Sequence, residues 1–149
     1  MAKNITPVYS LDARFSTDGT ATSASPVGVT LTAAANDYTG ISANNAVVFT
    51  ADATEGGYVQ RLIMRAIGTN VATVLRIYIN NGGAVTTAAN NTYIDEIALP
   101  ASTASATALT GPALARVLNK RLPAGFRIVV GLATAVAAGW KVTAEGAKY

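Results

Sequence analysis

The chain has 149 residues, no cysteine, no histidine and a formal net charge of +3 from eleven basic and eight acidic side chains. These absences exclude disulfides, thiol nucleophiles, thiolate metal sites, a Ser-His-Asp triad, His-ligated zinc and an imidazole base, and eleven dispersed cations do not promise the dense basic face of a nucleic-acid binder. Ala, Thr, Gly, Asn and Ser account for 79 residues, while Leu, Ile, Val and Phe number 36; that is above the roughly 20% below which disorder is the default, so one modest core in a single domain (1–149) is expected.

In chain order, residues 1–45 read as a loop-rich N-terminal part. It holds short strands at Ile5–Phe15 and Val27–Leu31, separated by the soft stretch Ser16–Ser25 and followed by another, Thr32–Asn45. No apolar run of signal-peptide length opens the chain, which predicts synthesis in the cytoplasm. A strand at Val47–Thr50 leads into Asp52, Glu55 and Gly56-Gly57, the composition of a turn. Tyr58–Ile67 reads as a strand, and Gly68-Thr69-Asn70 is short enough to join it as a hairpin to the row Val71, Thr73, Leu75, Ile77 and Ile79. Asn80-Asn81-Gly82-Gly83 ends that row with residues that tolerate positive φ. Tyr93–Leu99 follows the soft loop Gly82–Asn91, and Pro100–Gly111 is a second polar loop.

Ala113–Leu118 fits a strand, although Leu114, Val117, Leu118 and Arg121 could also line one or two helical turns. After the turn Leu122–Phe126, the row Phe126, Ile128, Val130, Leu132 alternates with polar or smaller residues, and so does Trp140, Val142, Ala144. The short link Ala133–Gly139 predicts that these two pair as antiparallel neighbours. The longest apolar stretch, Ile128–Trp140, falls short of the ~20 residues of a membrane helix. With eight or nine strands and no long 3.6-period segment, the expected fold is all-β. It is an antiparallel β-sandwich, jelly-roll-like, of about eight strands with long Ala/Thr/Ser/Asn-rich loops.

Few residues invite chemistry. Asp95-Glu96 is the one adjacent acidic pair, and in a strand its carboxylates point to opposite faces and do not converge. Asp52 and Glu55 supply too few oxygens for calcium and lack EF-hand spacing, so a turn is expected there. There is no phosphate loop, no nucleophile elbow and no dinucleotide fingerprint. No catalytic residue, metal ligand or cofactor is therefore assigned, and the protein is expected not to be an enzyme. The clearest local anomaly is a basic stripe on the proposed hairpin. Arg61 and Arg65 share a strand face with Ile63 and Ile67, while Arg76 and Tyr78 point outward if Leu75 and Ile77 face the core. Such a stripe could contact nucleic acid or an acidic protein surface, and its half-apolar character suits coverage by a second protein, because Arg and Tyr are enriched at interface centres; the alternative is a set of ordinary solvated charges. Trp140, the single tryptophan, is either a core residue or a subunit-interface anchor.

The segments Gly68–Asn81 (GTNVATVLRIYINN), Ile97–Ala101 (IALPA), Leu122–Phe126 (LPAGF) and Gly131–Ala144 (GLATAVAAGWKVTA) resemble small virion structural proteins of tailed bacteriophages. The resemblance spans roughly residues 58–149 and transfers no individual functional residue. It implies a compact β-sandwich that assembles as a symmetric oligomer, with a homotrimer expected. Capsid decoration (cement) proteins are the best-fitting subclass. The expected location is then the virion, and the expected partners are the major capsid protein or other virion proteins, with no nucleic acid and no membrane. Tail, baseplate and fibre-attachment proteins are the alternative. A carbohydrate- or surface-binding β-sandwich, with Tyr38, Tyr58 and Tyr93 as its candidate aromatics, stands further off.

Overall fold

The computed structural model describes residues 12–15 and 28–148, and among them lie nine strands and one 3-10 turn at Ala88–Asn90. The strands are β1 (Asp12–Phe15), β2 (Val29–Leu31), β3 (Ala46–Thr50), β4 (Gly57–Ala66), β5 (Thr73–Asn80), β6 (Asn91–Leu99), β7 (Leu114–Leu122), β8 (Arg127–Leu132) and β9 (Trp140–Lys148). Residues 113–118 thus belong to a strand and not to a helical turn. Of Ile5–Phe15, the residues before Asp12 lie outside the described residues, as do Ser16–Ser25 and Tyr149.

The strands form two antiparallel sheets. One runs β2–β9–β4–β7, with β1 also on β9; the other runs β3–β8–β5–β6. β1 pairs with Glu145–Lys148 and β2 with Trp140–Val142, so the two lie end to end along one edge of β9. Counted as one interrupted strand, they complete eight strand positions in the order of a jelly roll. The alternation seen in the sequence sets the inner faces. Val59, Leu62, Met64, Val142, Ala144 and Trp140 from one sheet meet Phe49, Leu75, Ile77, Ile128, Val130 and Leu132 from the other in a single buried cluster. Each fully buried large apolar side chain contributes roughly 1.5–3 kcal/mol. Trp140, 1% exposed, is a core residue.

Both expected hairpins are corrected. β4 pairs with β7 and β9, while β5 pairs with β6 and β8. The link after Ala66 therefore crosses from one sheet to the other. β8 and β9 likewise belong to different sheets. A short link serves a hairpin and an inter-sheet arch equally well, so its length did not decide. What decides is that the two arches pack on each other. The Asn70 side chain, 4% exposed, accepts hydrogen bonds from the backbone N–H groups of Ala138 (2.9 Å) and Gly139 (2.8 Å) and donates to the carbonyl of Gly139 (3.0 Å). The Thr73 hydroxyl donates to the Thr134 carbonyl (3.1 Å) and accepts from its N–H (3.0 Å). Gly68 sits against Ala138 with no room for a side chain of its own. Buried polar groups in two crossing loops are thereby satisfied by each other. The hairpin that does form joins β5 to β6 through residues 81–90.

Candidate functional site

The topology separates the five residues of the basic stripe. Arg61, Ile63 and Arg65 lie on the outer face of the β2–β9–β4–β7 sheet. Arg76 and Tyr78 lie on the outer face of the opposite sheet, across the core. The sequence-derived interface is therefore two half-sites on opposite sides of the sandwich, and the two outer faces are finished in different ways.

On the β3–β8–β5–β6 sheet, Arg76 and Tyr78 point away from the core as expected but are not solvated. Arg76 is 7% exposed and Tyr78 0% exposed. They are covered by residues 33–45, part of the stretch Thr32–Asn45 whose composition predicts only a soft loop. Ala35 is buried and its N–H bonds to the Leu132 carbonyl (2.6 Å). The Tyr78 hydroxyl donates to the Asp37 carbonyl (2.6 Å). The Arg76 guanidinium donates to Asn36 Oδ1 (3.2 Å) and the Asp37 carbonyl (3.3 Å), lies 4.0 Å from the Tyr38 ring centroid, and has its Nε 3.9 Å from the Glu96 carboxylate. Gly131, lacking a side chain, lets Asn45 settle against the sheet.

The carboxylate of Asp37 ties this cover together, accepting from the N–H groups of Gly40, Ile41 and Ser42 and from the Thr39 hydroxyl. Burial alone would raise its pKa, but these donors outweigh burial and hold it below the ordinary value of 3.8. Burial, then the charge of Asp37, pushes Tyr78 up to about 12. Two further rings finish the surface. Tyr93 lies 5.8 Å from Tyr78 and 5.4 Å from Tyr38, the latter edge-on at 86°.

Among the described residues nothing covers the outer face of the β2–β9–β4–β7 sheet, where Arg61 and Arg65 are exposed. Cross-strand register places Arg61 beside Glu145, Ile63 beside Thr143, and Arg65 beside Lys141. Arg61 forms an ion pair with Glu145 at 2.6 Å. Arg65 and Lys141 are like charges directly opposite each other, an arrangement that costs stability. Among the described residues no carboxylate pairs with either. Ile63 is half-buried, and Val117, on the edge strand β7 opposite Arg61, is 61% exposed. Tyr58 shares this face, with its hydroxyl donating to Asn119 Oδ1 (2.6 Å).

The remaining candidates resolve into structural roles. Asp95 and Glu96 point to opposite faces of β6. Asp95 crosses to β7, where both its oxygens accept from Arg116 at 2.5 and 2.6 Å, and this hydrogen bonding lowers its pKa. The pair joins the two sheets along one side of the sandwich. The Asp52 carboxylate accepts from the N–H groups of Thr54 (2.9 Å) and Glu55 (3.1 Å) in a turn closed by Asp52 and Gly56. No group of three or more Asp or Glu side chains placed to hold a metal ion occurs among the described residues.

Sequence reasoning missed Lys141 and Asp37. Lys141 gains meaning only once β9 is known to flank β4. Asp37 was legible locally, since Asp37-Tyr38-Thr39-Gly40 is a sequence in which an Asp caps its own turn. Comparison with protein-family models, with curated proteins and with solved structures returned no match.

Proposed function

We propose that this chain is a non-enzymatic virion protein of a tailed bacteriophage that decorates the outside of the capsid and cements it. The observation that carries the reading is the outer face of the β2–β9–β4–β7 sheet, where among the described residues no carboxylate pairs with Arg65 or Lys141 and where Ile63 and Val117 share the face. A sandwich whose described residues pad one outer face and leave cations opposed and uncompensated on the other suits completion by a second surface. The phrase-level resemblance to virion structural proteins supplies the partner class.

The face is large enough to supply most of an interface. Four strands about 4.8 Å apart and nine residues at about 3.3 Å each span roughly 19 by 30 Å, a plan area of about 570 Å² against the ~800 Å² per partner of a standard interface. Carboxylates on the shell would seat against Arg65 and Lys141 and relieve their repulsion, while Ile63 and Val117 supply apolar contact. Charge of this kind sets orientation and encounter rate more than affinity. Each copy bridges neighbouring capsid subunits and adds contact area that heat must break. The proposed assembly is a homotrimer, whose threefold closure would use two different patches on every copy.

The test is to prepare particles with and without this protein and measure the temperature at which they release DNA. A lowered release temperature in its absence is expected, with hundreds of copies per particle by quantitative mass spectrometry. Equal heat resistance would sink the cement role, and a few to dozens of copies would move the protein to the tail.

A further inference from the structure

The padded face of the sandwich carries a second feature that its role as a cover leaves unexplained. Tyr38 is 59% exposed and Tyr93 is 37% exposed, although both belong to the cluster that seals Arg76 and Tyr78. The two rings are fixed in place. Tyr38 is held through Asp37, whose carboxylate takes four hydrogen bonds, and by the Arg76 guanidinium stacked 4.0 Å from its centroid. Tyr93 stands edge-on to it from the strand β6. Around them are polar groups with spare capacity: the Glu96 carboxylate, 47% exposed, which already meets the Tyr93 hydroxyl but keeps further acceptor sites, and the Tyr38 hydroxyl. The Arg76 Nε is buried without a hydrogen-bond partner, 3.9 Å from Glu96. Rigid, amphipathic aromatic area beside a few polar groups binds ligands at low cost in conformational entropy.

The charges select the ligand class. A cation is disfavoured because Arg76 already occupies the ring of Tyr38. An anion is disfavoured by Glu96. What fits is a neutral molecule with an apolar C–H face to lie on a tyrosine ring and hydroxyls to donate to a carboxylate, which is the chemistry of a sugar ring. We propose that Tyr38, Tyr93 and Glu96 form a binding site for a neutral carbohydrate. This site lies across the sandwich from the open cationic face, so it would remain accessible with that face docked. It does not depend on the virion reading, because the purified protein alone is sufficient to test it.

The experiment is a glycan array of neutral oligosaccharides ending in glucose, galactose or N-acetylglucosamine, with the strongest binder titrated by ligand-observed NMR. Wild-type protein should retain at least one neutral glycan. Tyr38→Ala and Tyr93→Ala should each weaken binding by roughly tenfold, the effect of losing one stacking contact. Glu96→Gln should weaken it less, Tyr38→Phe should keep it, and Lys141→Glu on the far face should leave it unchanged. If Tyr38→Ala fails to give a folded amide spectrum, Tyr93→Ala and Glu96→Gln on β6 decide. No neutral glycan retained, or binding undiminished in those two variants, overturns the proposal.

Discussion

The two outer faces of this sandwich begin from similar raw material and are completed by opposite means. Each carries arginine beside apolar and aromatic residues on a central strand, β4 on one side and β5 on the other. On β5 the chain returns over its own sheet. Arg76 receives a ring, two oxygen acceptors and a nearby carboxylate, and Tyr78 receives a carbonyl. On β4 the neighbours are Lys141 and a single glutamate that serves Arg61. A buried cation must be satisfied within the fold, whereas an exposed one stays solvated and available. The same residue type is thus enclosed on one face and exposed on the other, and local composition does not distinguish the two.

Removing side chains from each face should expose that difference most strongly at Tyr78. Tyr78→Ala empties a fully buried site and strips the cover of its central contact, so a loss of about 3–5 kcal/mol is expected by chemical denaturation. Arg65→Ala, on the open face, should stay within about 0.5 kcal/mol of wild type. Comparable losses at the two positions would show that something also covers the open face in the isolated protein.

Next comes the carboxylate that ties the cover. Asp37→Ala should cost about 2 kcal/mol at neutral pH, since four donors lose a charged acceptor. Its pKa lies below the unfolded value of 3.8, so its contribution is present above that value and drains away as pH falls through the folded one. Stability measured from pH 6 to pH 2 should therefore decline less steeply in the variant. An unchanged acid slope would remove Asp37 from the account. Tyr78 predicts the reverse dependence at the alkaline end. With its folded pKa at about 12 against 10 unfolded, its contribution is intact below pH 10 and is lost between pH 10 and 12. Tyr78→Phe should cost about 1 kcal/mol at pH 7 and flatten that alkaline loss, as read by circular dichroism against pH.

Much of the fold was legible because it rests on period-2 rows. Leu75, Ile77 and Ile79, or Ile128, Val130 and Leu132, declare an inner face without help from the rest of the chain, whereas a bulge between Val59 and Arg61 breaks the period in β4. The all-β class and the jelly-roll expectation follow from strand number and loop spacing. Sheet membership was not legible. Gly68-Thr69-Asn70 looks like a hairpin turn until Ala138 and Gly139 supply the partners that make Asn70 the keystone of an arch, and those partners are 68 and 69 residues away. The same long-range placement parted Arg76 and Tyr78 from Arg61 and Arg65. The alternation rule set the direction of each side chain but could not say what lay above it. Asn36-Asp37-Tyr38 does lie above, and only the fold brings it there.

The smallest expected effect is the most informative about function. Lys141→Glu replaces a like-charge pair opposite Arg65 with an opposite-charge pair on exposed strands, and should raise stability by about 0.2–1 kcal/mol. The gain should shrink as salt is added, because exposed pairs are screened within a Debye length of about 10 Å at 0.1 M. A repulsive pair that one substitution relieves is a stability cost retained at a surface position where many residues would serve. If the face exists to meet an acidic shell, the variant must trade in the opposite direction, becoming more stable alone while binding particles more weakly, most visibly at low ionic strength. Measured together, melting temperature and particle occupancy separate the possibilities: a rise in both would mean that Arg65 and Lys141 are ordinary surface charges, and a rise in one with a fall in the other would mark the pair as held apart for a partner.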